Sequence, residues 1–257
     1  MTEIAVCNGA NGTLDAFMQG LAHEGDEIVT IEPFFPQYIG HAVLSRANLK
    51  SARLVLDKDD KWQIDFESLE AAMSEKTRIL VINTPQNPTG KVFTKEELEK
   101  ISAIVDKYPR CFVISDEVYD FLAFDGREHL HFAAIGDNWK RTISIFSGGK
   151  MFNCTGWKCG WGIGPRELVR QAVIMNDTIN FCTNIPTQVA MAKTLPWIDE
   201  KYESFASYGD SIKEEYMAVR DYLVTETKKL DIPIRPIEPE GGYFLLADVS
   251  ECRKLVP

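Results

Sequence analysis

Short apolar runs alternate with longer segments of helical period along the chain. Seven runs have strand length, at residues 4–7, 27–31, 52–56, 79–82, 112–115, 143–146 and 160–164. Between them lie helical patterns. Residues 11–22 follow a glycine and put Leu14, Phe17, Met18 and Leu21 on one face. A short helix is predicted at 66–73. Residues 94–107 open with Thr94 and Glu97 in capping-box spacing and repeat Leu98, Ile101, Ile104 and Val105. Residues 165–175 begin on a proline, which the first turn of a helix tolerates. This alternation predicts an α/β three-layer sandwich built on a mostly parallel, seven-stranded sheet.

From about residue 199 the texture changes. A long polar helix is predicted to run to residue 229, with Tyr208, Ile212, Tyr216, Val219 and Leu223 as its buried stripe. Two further strands, 232–237 and 243–249, are joined through Pro239-Glu240-Gly241-Gly242. The expected division is a large domain over residues 1–198 and the start of a smaller α+β domain over 199–257. One helix and two strands are too little to bury a core, so this second unit is expected to be incomplete.

Composition narrows the function classes. The 257-residue chain carries a net charge of -10, which speaks against a general nucleic-acid or anionic-membrane partner. No apolar run reaches the length of a membrane span, so no membrane insertion is expected. The six cysteines are scattered and none forms a CxxC pair, which points to a reducing compartment, cytoplasmic or mitochondrial. His129 and His131 stand two positions apart, but two donors alone do not make a metal site, and no metal is expected.

The candidate chemistry centres on Ser147-Gly148-Gly149-Lys150, just past the strand at 143–146, with Lys158 eight positions after Lys150. Such a lysine can form an imine with an aldehyde cofactor, while the serine hydroxyl and the second lysine hold a phosphate. Pyridoxal phosphate needs both. Four more segments fall at strand ends, where open α/β sheets bind ligands. Asn8-Gly9-Ala10-Asn11-Gly12-Thr13 joins a strand to a helix, where backbone N–H groups can approach an anion. Glu32-Pro33-Phe34-Phe35-Pro36-Gln37-Tyr38 offers an aromatic to stack on a ring. Asn83-Thr84-Pro85-Gln86-Asn87-Pro88-Thr89-Gly90 is a rigid loop with an amide to give to a phenolic oxygen. Ser115-Asp116-Glu117-Val118-Tyr119 supplies a carboxylate to pair with a pyridine nitrogen and a tyrosine for the same phenolic oxygen. Each segment also has a plainer reading: a tight turn, core packing, a structural loop, a helix cap. Those readings do not explain why all five occur in this order.

With these segments in place the chain resembles the fold-type I, class I/II aminotransferases. It looks most like the branch of kynurenine aminotransferases, glutamine transaminases and cysteine-conjugate β-lyases. The resemblance runs through NGANGTLDAF, EGDEIVTIEPFFPQY, NTPQNPTGKVFTKEEL, SDEVYDFLAFDG, SGGKMFNCTGWKCGWGIGP and PEGGYFLLADVS. It implies pyridoxal 5'-phosphate as cofactor and ping-pong transfer of an amino group between an amino acid and a 2-oxo acid. Lys150 would then be the Schiff-base lysine and proton carrier. Asp116 would pair with the pyridine nitrogen, Asn87 and Tyr119 would hold the phenolic oxygen, and Phe35 would stack on the ring. Backbone amides of Ala10 and Asn11, the Ser147 hydroxyl and the Lys158 ammonium would bind the phosphate. Asn83 would lie near the substrate carboxylate.

The resemblance also implies a homodimer with shared sites. Two departures stand out. Asn11 replaces an aromatic residue usual in the family. The family pattern also extends beyond both ends of this sequence, and its carboxylate-clamping arginine has no counterpart here. The expectation is therefore a central segment of a working aminotransferase. The alternative is a truncated, non-catalytic subunit of a larger assembly. β-Elimination from a cysteine conjugate would use the same lysine and ring. Phe34, Phe35 and Tyr38 agree with large or aromatic substrates.

Overall fold

A computed structural model describes residues 3–255. Ten strands are assigned: β1 Ile4–Asn8, β2 Glu27–Glu32, β3 Asn48–Leu56, β4 Trp62–Ile64, β5 Thr77–Asn83, β6 Phe112–Asp116, β7 Thr142–Ser147, β8 Cys159–Ile163, β9 Arg235–Ile237 and β10 Leu246–Asp248. The helices are α1 Gly9–Leu21, α2 Gln37–Leu44, α3 Phe66–Ala72, α4 Lys95–Val105, α5 Gly148–Met151, α6 Arg166–Asn180, α7 Ile185–Thr194 and α8 Tyr208–Lys228.

The main sheet has the order β1-β8-β7-β6-β5-β2-β3-β4. β3, β2, β5, β6 and β7 run parallel, while β8 opposes both β7 and β1, and β4 folds back on β3. All seven expected strands are present. The eighth, β4, is three residues long and too short to show a period of its own.

Alternation along the strands builds two cores. Ile79, Val81, Ile114, Ile143 and Ile145 face one layer, with Leu14, Phe17 and Met18 of α1, Ala42 of α2, Leu168 and Val169 of α6 and Ile212 of α8. Val29, Ile31, Leu80, Ile82 and Val113 face the other, with Leu69 of α3 and Leu98, Ile101 and Ile104 of α4. These are the three layers that the periodicity predicts. The capping box forms as expected: Glu97 N–H donates to Thr94 Oγ1 at 3.3 Å, and Thr94 N–H donates to Glu97 Oε2 at 2.9 Å.

The later segment differs from expectation. The long helix begins at Tyr208, where Ser207 accepts from Asp210 N–H at 3.0 Å and caps it. A 3₁₀ turn, Leu195–Asp199, precedes it. The expected stripe holds at Tyr208, Ile212 and Tyr216, which pack against the core, and fails further along. Val219 and Leu223 are exposed, while Ile212, Arg220 and Val224 are buried. Arg220 takes the inward position because Asp125 meets it with two bonds, of 2.6 and 2.8 Å. β9 and β10 form a separate antiparallel pair. The Pro239–Gly242 link is pinned to the large sheet's loops: Glu240 N–H donates to Gly90 O at 3.0 Å, Phe124 N–H to Glu240 O at 2.9 Å and Gly242 N–H to Leu122 O at 2.9 Å.

All six cysteines are free thiols. Burial pushes the Cys111 thiol up to about 12, so it serves as an inert core residue. No helix among the described residues is long and apolar enough to cross a membrane.

Candidate active site

Five parallel strands end near one another because their carbonyl ends share one edge of the sheet. Chain turns at β5, β6 and β7 therefore deliver Asn83, Asp116 and Ser147 side by side. A cavity of about 210 Å³ opens there. All ten residues named from the sequence line it: Ala10, Asn11, Phe35, Asn83, Asn87, Asp116, Tyr119, Ser147, Lys150 and Lys158. Phe244 lines it too, and sequence reasoning gave that residue no part.

Asp116 closes the floor. It is 4% exposed, and its Oδ2 accepts the Tyr38 hydroxyl at 2.7 Å. Its Oδ1 is buried and has no partner. Burial pushes the carboxyl up to about 6, against hydrogen bonds from Tyr38 and the Val118 backbone that pull it down. A buried carboxylate oxygen left open beside a cavity is an invitation to a cationic or N–H group.

The sequence leaves Tyr38, with Phe34 and Phe35, open to two readings, lining for a large substrate or plain packing. Tyr38 packs edge-on against Phe35, with centroids 5.7 Å apart, and directs its hydroxyl to Asp116. The residue positions the carboxylate and is itself fully buried.

Asn83 lines the cavity as expected and has a bracing part besides. Its amide nitrogen donates to Asp116 O at 2.7 Å and Pro85 O at 3.2 Å, and its oxygen accepts from Asn87 N–H at 2.7 Å. The side chain is spent on backbone and braces the loop that carries Asn87. Pairing of Asn83 with Asp116 across β5 and β6 makes this brace possible.

Lys150 stands in the short helix α5 after β7. Its ammonium donates to the Tyr243 hydroxyl and lies 5.5 Å from the Tyr119 ring centroid and 5.0 Å from that of Tyr243. Tyr119 and Tyr243 meet edge-on at 4.9 Å. Burial, reinforced by Tyr243 and Asp116, pushes the Tyr119 hydroxyl well up, so it keeps its proton and acts as a donor. Asn87 stands beside that hydroxyl.

The far wall has groups that can hold an anion. α1 starts at Gly9, and Asn8 makes no side-chain cap bond to its first N–H groups, the groups a helix start can offer an anion. Ser147 likewise places no side-chain bond on α5. Lys158 sits in the left-handed region at φ 54°, a conformation that costs a side-chain-bearing residue about 1–2 kcal/mol. Its α-carbon lies 3.5 Å from where a Gly9 Cβ would stand. Gly160 allows the closest approach: a Cβ there would fall 2.4 Å from Ala10 N. Asn11 is held from outside the cavity. His41 Nε2 pairs with Asn11 Oδ1 at 3.0 Å, and His41 Nδ1 pairs with Asp15 Oδ1 at 3.1 Å.

Residues 1–256 match the family model described as aminotransferase class I and II. The chain belongs to that family. Among class I and II aminotransferases, a kynurenine–oxoglutarate transaminase of Dictyostelium discoideum is 37% identical over 97% of this chain and 59% of its own length. Human kynurenine–oxoglutarate transaminase 3 is 38% identical over 96% of this chain and 56% of its own. Among solved structures, N-succinyldiaminopimelate aminotransferase from Mycobacterium tuberculosis superposes with a TM-score of 0.89 at 35% identity, covering 96% of this chain and 62% of that one. The chain thus spans little more than half the length of these relatives.

Proposed function

We propose that this chain carries the cofactor half of a pyridoxal-phosphate-dependent aminotransferase site. The observation that carries the reading is Asp116 Oδ1, buried and unpartnered on the floor of a cavity that also holds Lys150. The donor set fits the cofactor at each end: a carboxylate for a ring nitrogen, Tyr119 and Asn87 for a phenolic oxygen, and the α1 amides, Ser147 and Lys158 for a phosphate. Pyridoxal phosphate, when bound, supplies a ring that accepts the electron pair left behind when an amino acid gives up its α-hydrogen.

The chain's own residues do the rest. Asp116 holds the ring nitrogen's proton in place, and Tyr38 fixes the carboxylate that does so. Phe35 covers the ring's flank and keeps water from it. Lys150 carries a proton to and from the substrate α-carbon, moving from the Tyr243 hydroxyl that holds it otherwise. Tyr243 lies on the 239–244 segment, so the position of that segment sets where Lys150 rests. The intact donor set favours this reading over a non-catalytic subunit.

The relatives are named for kynurenine and oxoglutarate, which makes kynurenine and 2-oxoglutarate the first pair to try. The decisive experiment adds pyridoxal phosphate to the purified chain, reduces it with borohydride and maps the adduct. A pyridoxyl group on Lys150, lost in Lys150→Ala, supports the reading. A chain that stays unmodified at saturating cofactor overturns it. Turnover of the substrate pair is then measured on the loaded protein.

A further inference from the structure

We propose that Glu117, His129 and His131 form a binding site for one divalent transition-metal cation of the zinc class, separate from the cofactor cavity. From the sequence, the two histidines count as a pair of donors and no more. The fold adds the third, Glu117, from 12 and 14 residues upstream. None of the three lines the cofactor cavity.

Glu117 follows Asp116 at the end of β6, and its side chain is 0% exposed. Its Oε1 accepts the Ser144 hydroxyl at 2.8 Å, which fixes the plane of the carboxylate. Both rings converge on the other oxygen, Oε2: His129 Nε2 at 2.9 Å, and His131 Nδ1 closer still. One ligand atom from each residue lies within 4.8 Å of the other two. Ligand atoms bound to zinc at about 2.0–2.2 Å in a tetrahedron stand roughly 3.3–3.6 Å apart, so the set is within reach of that geometry.

The rings are oriented by packing. They meet edge-on with centroids 4.9 Å apart, and His131 also stands against Phe146 at 6.1 Å. Imidazole, imidazole and carboxylate are the donors zinc-class ions favour. Three protein ligands leave a fourth position. The His131 side chain is 50% exposed, so that position opens to solvent and gives the ion an entry path. The Ser144 bond to Glu117 is the supporting contact such a ligand needs. Asp120 adds a further negative charge close to both rings.

The ion takes the place of the two ring hydrogens now aimed at Oε2. Each ring then carries its hydrogen on the other nitrogen, His129 on Nδ1 and His131 on Nε2. The His129 Nδ1 is buried and has no partner, which sets the site's affinity below that of a fully supported one.

The test is a cobalt(II) titration of the purified chain followed by absorption, with a zinc-dependent melting series beside it. One equivalent of cobalt should bind, with d–d bands and without thiolate charge-transfer bands. His131→Ala should weaken binding at least tenfold, and His131→Gln should do the same if the alanine variant folds poorly. Zinc should raise the melting temperature of the natural chain and leave that of the variants unchanged. The proposal is overturned by the absence of saturable binding, by thiolate bands that put the ion on cysteine, or by equal affinity in the variants.

Discussion

Gly160 offers the sharpest check on the anion wall. An alanine Cβ at this position would stand 2.4 Å from Ala10 N, 2.5 Å from Gly9 C and 3.0 Å from Ala10 Cα. All three are backbone atoms at the start of α1, so no flexible side chain can step aside. Ordinary contact lies near 3.5 Å, so the start of α1 and β8 must separate by about 1 Å. Overpacking of this kind costs about 1–3 kcal/mol of stability. The larger effect falls on the cofactor. A shift of that size takes the Ala10 and Asn11 amides out of hydrogen-bond range of a phosphate. Each bond to a charged group is worth about 1.5–3 kcal/mol, so losing two weakens cofactor binding by about 3–6 kcal/mol. That is roughly a hundredfold to a ten-thousandfold in dissociation constant. Gly156→Ala is the control, since nothing lies within 4 Å of a Cβ there. Pyridoxal phosphate titrated into both variants and the natural chain, read by cofactor absorbance, gives the answer. A Gly160→Ala affinity within threefold of the natural chain would refute the idea that the approach of β8 shapes the phosphate wall.

Two further predictions follow from burial and pairing. Asp116 has a folded pKa of about 6, above its ordinary 3.8, so the fold holds this proton more tightly than the unfolded chain does. Its contribution to stability therefore declines as pH rises from about 4 to about 6, by about 3 kcal/mol in all. Asp116→Asn removes that dependence, so denaturant unfolding of the cofactor-free proteins should show the variant gaining on the natural chain across this window; a constant difference would rule the assignment out. Arg220→Ala should lower stability by about 2–3 kcal/mol, below the roughly 3–5 kcal/mol for a fully buried pair because Asp125 is 40% exposed. Arg220→Lys should recover less than half of it, because lysine cannot make both bonds to Asp125; full recovery in chemical denaturation would show that charge alone matters.

The strands and their order of chemistry were legible because buried parallel strands are written as plain apolar runs. The cavity was legible for the same reason: its residues sit just past those runs. α2 escaped notice because Gly40 and His41 interrupt its apolar pattern, although His41 is buried against α1. Only the second half of the α8 stripe departs from the apolar spacing, by one position, because Arg220 turns inward to a partner 95 residues away. The same limit hid Tyr38 and Tyr243. Their hydroxyls act through Asp116 and Lys150, at separations of 78 and 93 residues, and nothing local announces such a pairing. The aromatic near Glu32 was seen, but its direction is fixed only once α2 turns it back toward β6.

The pairing of β1 with β8 has a consequence for how the protein is made. Asn8 meets Cys159 across that pair, so the first strand waits for one synthesised far later. Such a closure is slow, because a long loop must be ordered before any contact rewards it. Among the described residues β8 is the strand partner of β1, so until β8 emerges from the ribosome β1 lacks that partner and α1 has no seat against α6. The exposed strand is a hazard for mispairing during that interval. The phosphate wall is assembled from both ends of this closure, Ala10 on one side and Lys158 on the other. On the function proposed above, a phosphate-bearing cofactor would find both sides of its wall only after the sheet has shut.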